Sequence, residues 1–136
     1  MGAAGVLLLL LAGLGYCAVA PTSADAFRQA AVETAQAAHD AVRTADLTGA
    51  AVAEHRATGP YAAVLLDSST RSLASAVRTF AEEPPPDRAA TALRDELLPL
   101  LTEAVRLVGD AAAAPGHRDG LAPLADTLHQ FIQRHR

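Results

Sequence analysis

Helix breakers divide this chain into helix-length pieces. Gly59-Pro60, Pro84-Pro85-Pro86 and Pro115-Gly116 with Gly120 are its strong interruptions. Proline lacks the backbone N–H that a helix needs, and glycine loses more entropy than other residues when fixed in one. Between the breaks, apolar residues recur at steps of three and four, the spacing that gathers side chains on one helical face. No strand-like alternation bounded by turns and no internal repeat is present.

Four helices are therefore predicted. The first starts near Ala24 and runs to about Leu47, or past Gly49 to Ala57 (about 24–57 in all), and places Phe27, Ala31, Thr34, Ala38, Ala41 and Ala45 on one face, with Gln29, Glu33, Gln36, Asp40 and Arg43 opposite. Such a small-residue seam lets a neighbouring helix come close, although alanine buries little area. The second, 61–82, carries the stripe Leu66, Thr70, Leu73, Val77 and Phe80, with Asp67 and Arg71 as an acid-first ion pair one turn apart. The third, 87–113, is capped by Asp87 and holds a stripe of Leu93, Leu97, Leu100, Ala104 and Leu107. Leu98, Leu101, Val105 and Val108 widen that stripe to about half the circumference, and Pro99 in its middle predicts a kink. The fourth, 121–135, lines its inner face with Leu121, Leu124, Ala125, Leu128, Phe131 and Ile132. Pro123 fits its first turn, and Arg134 and Arg136 suit its negative end. Short connections between amphipathic helices give an all-α, antiparallel, up-down-up-down four-helix bundle over residues 27–136.

The first 26 residues read differently. No charged side chain precedes Asp25, and Val6 to Leu14 are nearly all leucine before a run of small residues. This pattern fits a signal peptide or a membrane anchor, and it points to an extracytoplasmic protein, secreted or tethered to the membrane. Ala24-Asp25-Ala26 supplies small residues for cleavage after Ala26, and Ala18-Val19-Ala20 is an alternative spoiled by the following Pro21. Leu14-Gly15-Tyr16-Cys17 has the leucine and cysteine of a lipidation site, but bulky Tyr16 occupies the small position. No Arg or Lys precedes Val6, which departs from the positive start of an export signal. An exported chain with Cys17 as its single cysteine forms no disulfide framework.

Composition excludes more than it suggests. The formal net charge of −4 and the scarcity of aromatics argue against a nucleic-acid partner, which needs a basic face and stacking platforms. Alanine at 33 of 136 positions and 11 Arg with no Lys read as the codon usage of a high-GC bacterial genome.

Chemistry-bearing residues are few. His39 on the first helix and His129 on the fourth are the candidate metal ligands, and Asp126-x-x-His129 imitates the Glu-x-x-His pair of metal-binding bundles, which occurs nowhere here. Ser68, Ser69, Ser72 and Ser75 lie outside any nucleophile elbow, and neighbouring Glu82 and Glu83 point about 100° apart on a helix. No phosphate or dinucleotide loop is present, so neither a cofactor nor a catalytic set is expected. The broad apolar face of the third helix is the remaining lead, since Leu98 and Val105 sit at its margin and form a candidate seam for a protein partner or a homodimer. The sequence thus predicts a non-enzymatic helical module acting through protein contacts, with a small-molecule or metal-binding bundle as the alternative.

Overall fold

The computed structural model describes residues 23–136. Cys17 and the rest of the leucine-rich leader lie outside the described residues, so the readings placed on them rest on sequence. The described part is all-helical: α1 (Ala24–Ala53), α2 (Gly59–Glu82), α3 (Arg88–Ala113) and α4 (Leu121–His135), with no strand among the described residues. None of these helices is long and apolar enough to cross a membrane.

Each helix begins where local chemistry lets it. Ser23 opens α1, its side-chain oxygen accepting from the Ala26 N–H at 3.1 Å. The same device opens α3, where Asp87 accepts from the Ala90 N–H at 2.7 Å. Pro60 lies in the first turn of α2, where its missing N–H leaves no helical bond unmade. Gly120 caps α4 with φ +81°, a conformation that a side chain at this position disfavours. Helix α3 runs unbroken through Pro99, which sits on the exposed side.

The first helix ends at Ala53, past Leu47 and Gly49 but short of Ala57. His55 adopts φ 58°, its N–H bonds to the Val52 carbonyl at 3.1 Å, and the Arg56 N–H reaches back to the Ala51 carbonyl at 2.8 Å. This pair of bonds closes a helix with a left-handed residue just past its cap, a position that normally belongs to glycine. With histidine in that place, the sequence carried no stop signal to read.

Residue contacts fix the directions. Phe27 at the start of α1 meets Phe80 at the end of α2, their ring centroids 5.4 Å apart. Arg134 and His135 at the end of α4 reach Glu96 near the start of α3. Successive helices therefore run antiparallel. Helix α1 packs against all three others, and α3 packs broadly on α1 and α2 but only lightly on α4. No close approach joins α2 to α4. The cross-section is a flattened rhombus, with α1 and α3 as a central pair.

Small side chains explain that shape. Ala31, Ala35, Ala38 and Ala45 of α1 are fully buried, and Ala90, Ala104 and Ala111 of α3 are nearly so. A seam without bulk lets the two parallel helices approach across what would be the diagonal of a square bundle. Because α1 has three neighbours, its buried face is wider than the expected stripe and is turned toward α4. Ala35 and Val42 are fully buried, whereas Thr34 and Ala41 are half-buried. In α3 the second stripe is real: Leu101 and Val108 are fully buried, and Leu100 is half-buried. All six inner residues expected of α4 are buried.

Candidate functional site

The two histidines singled out from sequence face each other across α1 and α4. Their ring centroids are 5.9 Å apart with ring planes at 43°. His39 is half-buried, and its Nδ1 lies 3.4 Å from Oδ1 of Asp40; His129 is exposed. Antiparallel packing of α1 on α4 brings these positions level, a relation that sequence spacing does not reveal. Among the described residues, no three His, Cys, Asp or Glu side chains converge on one point. The pair is thus a two-toothed arrangement at the helix boundary.

Apolar surface sits elsewhere than the sequence suggested. Leu98 and Val105 are half-buried and packed against the core, on the shoulder of α3. The exposed large apolar residues are Leu47 at 61%, Tyr61 at 66%, Val64 at 73% and Leu65 at 38% exposure. Asp40 and Thr44 of α1 line a groove with Leu65 and Ser68 of α2. Helical spacing extends its two rims to Leu47 and to Tyr61, toward the α1–α2 turn. All four residues therefore lie within two helical turns of the α1–α2 connection, and Leu65 lines the groove itself. Its members are single exposed residues on two helices, so sequence periodicity gave no signal for it.

A third feature went unread in the sequence. Asp46 is the buried charged residue of the described core, 7% exposed. Arg118, in the α3–α4 connection, donates from Nε at 2.9 Å and approaches with Nη2 at 2.8 Å, both to Asp46 Oδ1. Arg43 stands 3.9 Å from the other carboxylate oxygen. Gly49, one turn on, makes room for this bridge: a Cβ there would sit 2.7 Å from Arg118 Cγ. A glycine inside a helical pattern was the available clue, since such a position often marks close approach.

The remaining polar groups are satisfied locally. Ser69 donates to the Leu65 carbonyl and Asp67 pairs with Arg71 as the spacing predicted. Arg106 bridges Glu103 and Asp110, with contacts of 2.6 Å and 2.8 Å on the solvent side of α3. Its hydrogen bond holds the Glu103 carboxyl below the usual carboxylate range and raises the Arg106 guanidinium in turn. Buried side-chain nitrogen and oxygen atoms without a hydrogen-bond partner are absent among the described residues. The chain matches no family model, and neither curated proteins nor solved structures give a match.

Proposed function

We propose that this protein is an exported or membrane-anchored helical module, without enzymatic activity, that works by binding protein. The observation that carries the reading is the exposed cluster Leu47, Tyr61, Val64 and Leu65. Bulky apolar groups gathered near the α1–α2 connection favour coverage. Leu47 is 24 residues along α1 from Ser23, so the cluster lies about 36 Å from the end at which the leader enters. A bilayer holding that leader is remote from the cluster, and a protein surface suits it better.

The occupant is a second copy of the chain. A two-fold contact lays one α2 start over another, so a single small patch is covered by itself and needs no separate complementary surface. Leu98 and Val105 on α3 are the competing seam, disfavoured because both already pack against the core. Sedimentation velocity on the full chain, solubilised if the leader requires it, is the test. Val64→Glu is expected to convert a dimer to a monomer with helicity intact, while Leu98→Glu lowers stability and leaves association unchanged. A wild-type monomer at all concentrations overturns the reading, as does a Val64→Glu chain that still dimerises.

Export or anchoring rests on the uncharged leader. The first turn of α1 favours keeping Ser23: cleavage after Ala26 removes that cap and leaves a charged amine on Phe27, whose side chain is fully buried. A positive charge opposes the helix dipole at this end. Intact-mass measurement of the native protein is expected to show Ser23 retained, through an uncleaved leader or a cut further upstream. A chain beginning at Phe27 refutes that expectation.

A further inference from the structure

We propose that His39 and His129 form a binding site for a borderline divalent transition metal ion such as Zn(II), with water completing its coordination. This goes beyond the protein-contact reading and stands apart from it, because the histidines lie on the α1–α4 boundary and the apolar cluster lies on α1–α2.

Geometry is the first support. An imidazole donor nitrogen is about 1.1 Å from its ring centre and about 2.1 Å from a bound zinc, so two ligating rings stand about 5.2 Å apart at a tetrahedral angle and about 6.4 Å apart when opposed. The observed 5.9 Å falls inside that interval. Two donors fixed on packed helices lose little freedom on chelation, whereas histidines on separate flexible segments lose much more. His129 is exposed, which leaves its ring room to turn toward a shared ion.

The neighbour of His39 is the second support. Its Nδ1 lies beside the Asp40 carboxylate, which favours the tautomer with a proton on Nδ1. That leaves the Nε2 lone pair for a metal. A carboxylate holding the far nitrogen of a ligating imidazole is the usual outer shell of zinc histidines, because it fixes ring orientation and strengthens the donor. Asp126, one turn before His129, adds negative charge on the same helix.

With two protein donors, the remaining coordination positions stay open, which distinguishes this arrangement from a closed structural zinc site. Imidazole donors select zinc, copper and nickel over magnesium and calcium, which prefer oxygen. The site therefore takes the former group and ignores the latter.

Zinc chloride titrated into the full chain, followed by calorimetry and thermal unfolding, tests the proposal. One saturable equivalent is expected, with a rise in Tm that a chelator reverses and that magnesium does not reproduce. His39→Gln and His129→Ala should each abolish the binding, with circular dichroism unchanged, whereas His135→Ala retains it. His129 is exposed, so its replacement isolates the ligand role even if His39→Gln disturbs packing. Absence of saturable binding overturns the site, and so does a full equivalent persisting in the His129→Ala chain.

Discussion

Replacing Gly49 by alanine should change sign with the residue present at 118. In an ordinary helix interior this substitution stabilises by about 1 kcal/mol, because alanine loses less backbone entropy. Here the new Cβ falls 2.7 Å from Arg118 Cγ and 3.2 Å from its Cδ, so the arginine stem must leave. Leaving breaks the bonds of 2.9 Å and 2.8 Å to Asp46, whose side chain is only 11% exposed. Hydrogen bonds to a charged group contribute roughly 1.5–3 kcal/mol net. Arg118 is itself half-exposed, so water refills part of the gap and the loss lies near the lower end, about 2 kcal/mol. Gly49→Ala in the wild-type chain is therefore net destabilising by about 1 kcal/mol, a fall in Tm of about 4 °C for a domain of this size. In an Arg118→Ala background the obstruction is gone, and the same substitution should raise Tm by about 4 °C. Thermal unfolding followed by circular dichroism on the four chains gives the cycle directly. Equal effects of Gly49→Ala in both backgrounds would refute the idea that this glycine exists to seat the arginine.

Three further outcomes follow from the same structure. His55→Gly removes the strain of a non-glycine residue at φ 58° and should stabilise by about 1 kcal/mol, seen as a higher Tm. Ala35→Leu forces bulk into the fully buried seam of α1 and should destabilise by about 1–3 kcal/mol in denaturant unfolding. Glu103 titrates below the usual carboxylate range because Arg106 donates to it, so its contribution is present above the unfolded carboxylate pKa and fades as pH falls through the lowered value. Arg106→Gln should move the Glu103 titration, followed by carbon NMR, back up toward the ordinary range.

Legibility differed from helix to helix for physical reasons. Helix α4 has one buried face and an unambiguous stripe, and every residue expected inside it is inside. In α1, alanines lie on most sides, so apolar spacing alone did not orient the helix, and contact with three neighbours drew Ala35 and Val42 inward. Its end was hidden because a histidine took a glycine's conformation. His39 and His129 were each visible as donors, but their meeting depends on how α1 and α4 align, which no local pattern encodes. The Asp46–Arg118 bridge spans 72 positions and left only Gly49 as its trace. Leu47 and Tyr61 belong to different helices, and their shared rim is a product of packing.

The lack of any close approach between α2 and α4 makes the molecule two-sided. The histidine edge and the Tyr61 edge communicate only through the central pair, α1, which owns a residue at both, and α3, which packs on α2 and lightly on α4. Ligands on opposite flanks would therefore bind side by side without competing. One such chain would carry a metal ion on one flank and a second copy of itself on the other.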